Sequence, residues 1–258
     1  MSNLVLYQLE SRIAYLTLNR PEKRNALNPE MISALKEALT KASSDSDAKV
    51  IIIRSNGTVF SAGADLEHLQ KLQNNSYEEN LKDSNDLKEL FEQIYNNSKI
   101  IIAQVEGAAI AGGCGLATVC DFTFAVPESK FGYTEVKIGF IPAIVMIFLL
   151  RKIGEAKAKE LLLSGKLIDA TQALHFGLIN SVFSKEEIAA KVKDFAIAIC
   201  NETSSQSLSL TKEMIGKVQE LSLEEALNYA ANMNAKARGT EDCKKGISSF
   251  LNKESLQW

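Results

Sequence analysis

The sequence is poor in metal-binding and disulfide-forming residues. Its two histidines, His68 and His175, lie far from any ligand spacing, and its four cysteines, Cys114, Cys120, Cys200 and Cys243, form no C-x-x-C pair. Nothing here reads as a zinc site or a redox pair, and the thiols read as free groups of a reducing compartment. A cytoplasmic location is therefore expected. No block of five like charges occurs, and the formal net charge is −3. That excludes the basic footprint of a nucleic-acid-binding protein. The longest apolar run, Ala143 to Leu150, is too short to cross a bilayer and reads as a buried helix, so no membrane partner is expected. Met1-Ser2-Asn3-Leu4-Val5 shows no basic segment followed by an apolar stretch, and no secretory signal is expected. Linkers and low-complexity segments are also missing.

What the sequence does contain is a regular α/β pattern. Leu4–Leu9, Ile13–Leu18, Val50–Arg54, Lys99–Val105, Phe122–Val126 and Ile179–Phe183 read as strands. The nearly unbroken apolar Val50-Ile51-Ile52-Ile53 and Ile100-Ile101-Ile102-Ala103 suit strands covered on both faces. Asn28-Pro29 reads as a helix cap followed by proline at the first helical position. Asp169-x-x-Gln172, Ser184-x-x-Glu187 and Ser222-x-x-Glu225 read as capping boxes or near variants. Gln73–Tyr77 reads as a loop, and the charged run Arg151–Glu160 as a solvated helix face. The expected organisation is an α/β core over residues 1–195 and a helical region over residues 196–258.

Three segments stand out chemically. Phe60-Ser61-Ala62-Gly63-Ala64-Asp65-Leu66 follows a strand and a Ser-Asn-Gly turn. Gly107 to Ala117, with Gly112-Gly113-Cys114-Gly115 inside it, follows the strand ending at Val105. Small residues at a strand-to-helix junction let a ligand approach the backbone. The first N–H groups of a helix lack intrahelical partners and sit at its positive end. Two such groups on one oxygen form an oxyanion hole, although close packing of a helix on a sheet explains the small residues equally well. Gly112-Gly113 lacks the G-x-G-x-x-G spacing of a dinucleotide site. The third segment, Phe131 to Pro142, brings Glu135 into a small-residue, apolar setting, where desolvation would raise its pKa toward an acid/base value. Taken alone, such a glutamate reads rather as a solvated helix or loop residue.

In this order and at these separations the three segments resemble the crotonase superfamily, the enoyl-CoA hydratase/isomerase family. The resemblance extends to Asn19-Arg20-Pro21-Glu22-Lys23-Arg24-Asn25-Ala26-Leu27, which is similar to the family's CoA-binding turn. It continues through Leu163 to Ala170 with Ala173-x-x-x-Gly177-Leu178-Ile179, and through Thr240-Glu241-Asp242, Gly246-Ile247, Phe250 and Lys253. It implies a crotonase-like spiral of ββα units with a helical C-terminal oligomerisation region, assembled as a homotrimer or homohexamer. The ligand implied is an acyl-CoA thioester, with coenzyme A as part of the substrate and no separate cofactor or metal. The N–H groups of Ala64 and Gly112 are implied as the oxyanion hole and Glu135 as the proton-handling glutamate. Arg24, Ala26, Leu27, Asp65 and Leu66 fall where the family contacts CoA, and Phe250 and Lys253 where a neighbouring subunit completes that pocket. Ala62, Gly113, Gly115, Tyr133 and Pro142 are expected along the substrate-binding pocket, with the Tyr133 hydroxyl reaching the acyl group to orient water.

Two departures matter. Gly115 stands where hydratases of the family carry a first glutamate, in the pattern G-G-G-C-E-L-A. After Pro142 the chain reads Ala143-Ile144-Val145-Met146-Ile147-Phe148-Leu149-Leu150 in place of G-x-G-G-T-Q-R-L. With glycine at 115 and Ile-Pro-Ala after the glutamate, the chain resembles a bacterial branch assigned as methylglutaconyl-CoA hydratases. The resemblance thus implies an enoyl-CoA hydratase for a short or branched acyl group, with an isomerase or an inactive acyl-CoA-binding member as alternatives. His68 is expected on a helix surface, His175 in a structural role and Cys114 as a packing residue. Trp258 is expected against a subunit surface.

Overall fold

A computed structural model describes residues 4–258; the expectation made for Met1–Asn3 lies outside the described residues. Six strands form one sheet: β1 (Val5–Glu10), β2 (Ile13–Leu18), β3 (Val50–Ser55), β5 (Ile100–Val105), β7 (Phe122–Ala125) and β10 (Ser181–Val182), adjacent in that order. The β1–β2 pair is antiparallel and every other pairing in this sheet is parallel. The six expected strands are thus present, with ends shifted by one or two residues. Four shorter strands escaped the sequence reading: β4 (Val59–Ser61), β6 (Ala108–Ile110), β8 (Lys130–Gly132) and β9 (Ile168–Asp169), which form a second sheet. Runs of two or three residues carry no readable alternation.

The chain repeats one move. A strand in the first sheet is followed by a short strand in the second and then by helix: β3–β4 leads to α2 (Leu66–Leu72) and α3 (Tyr77–Tyr95), β5–β6 to α4 (Gly112–Val119), and β7–β8 to α5 (Ala143–Ser164). This is the expected spiral of ββα units. The first sheet is covered on both faces, as its apolar strands require. Leu16, Ile51, Ile53, Ile101 and Ala103 face the main core, which holds α1 (Pro29–Ser44), α3, α4 and α5. Ile13, Val50, Ile52 and Ile102 face Ile188, Val192 and Ala196 of α7 (Ile188–Glu202). The boundary expected at 195/196 falls inside α7, which packs on the sheet. The chain leaves the sheet only at α8 (Ser205–Val218), α9 (Leu223–Arg238) and α10 (Glu241–Asn252).

Helix ends follow the sequence closely. Asn28 accepts from the Met31 N–H at 2.9 Å, with Pro29 in the first turn, Asp169 caps α6 (Ala170–Phe176), and Ser222 and Glu225 form a full capping box. Ser184 instead bonds the Glu187 carboxylate at 2.8 Å ahead of α7, without capping it. The loop expected through Tyr77 stops at Ser76, which forms a capping box with Glu79. Lysines close several C-termini, where the dipole favours a cation. Lys99 Nζ donates to the carbonyls of Ala42 and Asp45 at 2.7 and 2.6 Å. Lys152 Nζ donates to those of Thr118 and Cys120 at 2.9 Å each. Lys152 is therefore not part of a solvated face, and the run 151–160 is further interrupted where α5 bends at Gly154. The apolar run at the start of α5 is only half-buried: Val145 and Leu149 point inward while Ile147 is 48% exposed. Trp258 docks on its own chain, its N–H donating to the Asn201 carbonyl at 3.1 Å and its ring lying under Lys245.

Candidate active site

Strands β4, β6 and β8 are parallel neighbours, so all three leave the second sheet at the same edge. Ala64 follows β4, Gly112 follows β6 and Glu135 follows β8, each within three residues of the strand end. Ligands of parallel sheets bind beyond the carboxyl ends of strands for this reason. The segment that resembles the family's CoA-binding turn extends the ladder further. Residues 24–27 pair alongside residues 62–65: Ala62 N–H donates to the Arg24 carbonyl at 3.0 Å, Leu27 N–H to Gly63 at 2.7 Å and Asp65 N–H to Leu27 at 3.0 Å. In that parallel bridge the N–H of Ala64 points away from Leu27. No acceptor for it exists among the described residues, and the same holds for the N–H of Gly112 at the start of α4. Ala64 is exposed and Gly112 half-exposed.

Two backbone features press these donors together. Gly63 has φ +87°, and a β-carbon there would lie 2.8 Å from the Ile110 carbonyl oxygen and 3.4 Å from the Gly112 nitrogen. Only glycine permits that approach. Ala111 adopts φ 51°, ψ −125°, a conformation that is costly for a residue with a β-carbon and is typically held at functional sites. Its N–H is anchored to the Gly132 carbonyl at 2.8 Å, which turns Gly112 outward.

Glu135 opens a short 3-10 turn, Glu135–Ile138. Its Oε2 is buried and has no hydrogen-bond partner. Desolvation pushes its pKa above the ordinary carboxylate value, and its own backbone N–H offsets part of this. No cation among the described residues balances it. A carboxyl group in that state is ready to exchange a proton. Downstream, Ile138, Phe140 and Ile141 are 70%, 53% and 66% exposed, an apolar rim on this side of the site.

The other expected residues divide. Arg24 is exposed, Ala26 and Leu27 are buried and Ala62 is half-buried, all on the ladder beside Ala64, and exposed Leu66 starts α2. Asp65 lies there too, but its carboxylate is committed: it caps α2 through the N–H groups of Glu67 and His68 and pairs with Arg20 at 2.6 Å. Burial pushes its pKa up, yet the Arg20 contact and the two capping N–H groups carry the net shift down. Gly113 is closed by packing, since a β-carbon there would lie 2.4 Å from the Ser61 carbonyl oxygen. Gly115 is buried within α4, and Pro142 is buried immediately before α5. Tyr133 corrects the sequence reading. It is fully buried, and its hydroxyl lies 2.8 Å from Thr118 Oγ1. Thr118 already gives its proton to the Cys114 carbonyl, so Tyr133 donates to Thr118 and is not placed to orient water. Cys114 is a packing residue as expected, its thiol pushed up to about 11 by burial. His68 is half-buried and bonded to Asp83 at 2.6 Å, tying α2 to α3. His175 is exposed at the end of α6.

Phe250 is 81% exposed and Lys253 ends α10 in a left-handed conformation. Their helix packs on α8 and α9. The apolar stripe Ala226, Tyr229, Ala230 and Met233 is the covered face of α9, whereas Leu223 and Leu227 are 78% and 62% exposed. Sequence reasoning missed Arg20 and Asn25. Asn25 is fully buried at φ 50° and clamps the turn through the carbonyls of Asn56 and Val59, both at 2.9 Å. Its position in a tight polar turn was the available signal. A cavity of about 440 Å³ opens between the starts of α1 and α2, lined by Arg20, Asp65, His68 and Lys71 among others. A larger one of about 530 Å³ lies in the seam between the core and α8, away from this chemistry.

The ββα spiral thus brings two N–H groups without acceptors among the described residues, and an isolated carboxyl group, to the same ends of three parallel strands. Residues 8–258 match the family model described as enoyl-CoA hydratase/isomerase, and the chain belongs to that family. A Thermus thermophilus protein, provisionally named an enoyl-CoA hydratase, is 39% identical over 244 residues, covering 95% of this chain and 96% of its own. The 2,3-dehydroadipyl-CoA hydratase of Escherichia coli is 33% identical, covering 99% and 98%. The solved enoyl-CoA hydratase of Shewanella pealeana superposes with a TM-score of 0.92 at 28% identity, covering 99% and 96%.

Proposed function

We propose that this chain is an enoyl-CoA hydratase for a short or branched 2-enoyl thioester, working with one carboxylate. The observation that carries the reading is Glu135: a desolvated, unpartnered carboxyl group at the strand edge that also presents the N–H groups of Ala64 and Gly112. In hydration, ionised Glu135 takes a proton from water while the water oxygen bonds to C3 of the enoyl group. The C2–C3 π electrons move into the thioester, and the resulting enolate oxygen accepts from Ala64 and Gly112. Glu135 then returns its proton to C2, leaving a 3-hydroxyacyl thioester and a regenerated carboxylate. Ala62, Leu27 and the ladder beside them would carry the CoA moiety.

A second reading is an isomerase. Gly115 carries no proton, and a lone carboxylate suffices to move a proton between C2 and C4. Incubation with 2-enoyl and 3-enoyl thioesters, with products identified by mass and by chromatographic retention against authentic 2-enoyl and 3-enoyl standards, separates the two. A gain of 18 mass units from the 2-enoyl substrate supports the hydratase, double-bond migration alone supports the isomerase, and no product from either leaves a binding protein.

The acyl group is the finer question. The branch resemblance favours 3-methylglutaconyl-CoA, and the Escherichia coli relative is also named for a dicarboxylic thioester. A second carboxylate would need a cation, because an unpaired buried charge is costly. Arg151 is engaged with Tyr95, Gln219 and Glu220, and Lys137 is exposed and packs beside Gly165. The apolar rim favours an apolar acyl group. Comparing kcat/KM for crotonyl-, tiglyl- and methylglutaconyl-CoA decides: crotonyl-CoA faster by more than about tenfold, roughly 1.4 kcal/mol in transition-state binding, removes the dicarboxylic assignment. We also propose a trimer or hexamer in which Phe250 and Lys253 of one subunit complete the CoA pocket of another, since α9 and α10 leave the large apolar side chains Leu223, Leu227, Phe250 and Leu251 exposed.

A further inference from the structure

Gly115 is not an open position left by a missing side chain. It sits one turn into α4, where α3 and α5 meet it. A β-carbon added there would lie 2.2 Å from Val145 Cγ1, 2.8 Å from Val145 Cβ and 3.1 Å from Phe91 Cε1. Rotating the valine removes the first contact but not the second, which belongs to the stem of the side chain. Nor can α5 easily retreat. Its Phe148 packs against Phe91 and Tyr95 of α3, with ring centroids 5.7 and 5.3 Å apart, and its Lys152 is bonded to the end of α4. Val145 is 3% exposed and Phe91 fully buried, so the junction is dry.

We infer that Val145 is the residue that holds this site to a single carboxylate, because its side chain fills the space any side chain at position 115 would need. The inference rests on the proposed acyl-thioester reading. It makes Val145 a determinant of reaction type. With Val145 present, one carboxyl group must both take the proton from water and give it to carbon. The apolar start of α5, a departure noted in the sequence, thereby acquires a purpose: its Val145 fills the space beside position 115.

The test uses the full-length protein as parent, Gly115→Glu, Val145→Gly and the double variant. Gly115→Glu should lower Tm by about 5 °C or more through overpacking. The double variant should melt above Gly115→Glu, although Val145→Gly alone melts below the parent; two damaging changes that repair each other are in contact. If Gly115→Glu fails to fold, Gly115→Ala with and without Val145→Gly gives the same comparison, since the β-carbon alone makes the clash. The pH profile of kcat/KM for a 2-enoyl thioester should show one ionisation in the parent and a bell in the double variant, where a second carboxyl group titrates. The inference is overturned if the added side chain leaves Tm unchanged, if the double variant melts below Gly115→Glu, or if the parent already shows a bell in the carboxyl range. If neither parent nor variants turn over any enoyl thioester, the functional reading fails, and the thermal rescue still decides the contact.

Discussion

Glu135→Gln should make the protein more stable and nearly inactive at once. Among the described residues the carboxyl oxygen Oε2 has no hydrogen-bond partner, and burial holds the pKa above the ordinary carboxylate value of 4.5. Below about pH 4.5 the group is protonated in both folded and unfolded chains, and glutamine and glutamic acid should behave alike. As pH rises through that value the unfolded chain releases the proton first while the folded chain retains it. Native protein then binds more protons than unfolded, so parent stability falls relative to the glutamine variant until the folded group has also ionised. At neutral pH the variant is relieved of an unpartnered charge. Leaving one buried polar group unsatisfied costs about 1–3 kcal/mol. Glutamine still buries a neutral amide, so a gain of about 1 kcal/mol is expected, which for a chain of this size raises Tm by about 2–4 °C. Turnover should fall at least about a hundredfold, the low end for general acid–base catalysis and about 2.7 kcal/mol of barrier, with thioester affinity little changed. Thermal melts at pH 4 and pH 7 with turnover at pH 7 measure all of this. A variant that melts below the parent at pH 7 and keeps a near-normal rate would refute the assignment of Glu135.

Gly112→Pro removes an N–H that is free in the chain; the position starts α4, where proline is tolerated, and a β-carbon there meets only Leu27 Cδ1 at 3.5 Å. It should fold, shown by an unchanged circular dichroism spectrum, and lose about a hundredfold or more in kcat; full activity would move the donor elsewhere. Arg20→Ala leaves the buried Asp65 carboxylate without its cation and should cost about 3 kcal/mol by urea denaturation; a loss under about 1 kcal/mol would show that the cap alone holds Asp65. Because Asp65 has its pKa depressed in the folded state, its contribution is present above pH 3.8 and lost as pH falls below that value, a limb that Asp65→Asn should flatten. Light scattering at micromolar concentration should give a trimer or hexamer, and truncation before Gly246 should weaken CoA affinity; a monomer counts against the shared pocket.

Much of this protein was decided by sequence alone. Unbroken apolar strands such as Val50–Ile53 and helix caps such as Asn28, Asp169 and Ser222 are local, because a cap's partner lies within four residues and an apolar run follows from burial of both faces. The three segments around Ala64, Gly112 and Glu135 are contiguous in sequence, but their residues alone read as packing or surface; the family resemblance, not local chemistry, singled them out. The tertiary structure decided what depends on residues far apart in the chain. The second sheet is built from strands of two or three residues, too short to announce themselves, and only its parallel pairing brings the three segments to one edge. The Tyr133 hydroxyl looked free until Thr118 was found beside it. Arg151 and Lys152 read alike as solvated charge, yet one packs against Tyr95 and the other closes α4. Gly115 is the clearest case. In sequence it is a missing acid; in the fold it is a contact with Val145, thirty residues away, and whether a side chain fits there is settled by the spacing of two helices, a distance that no local pattern encodes.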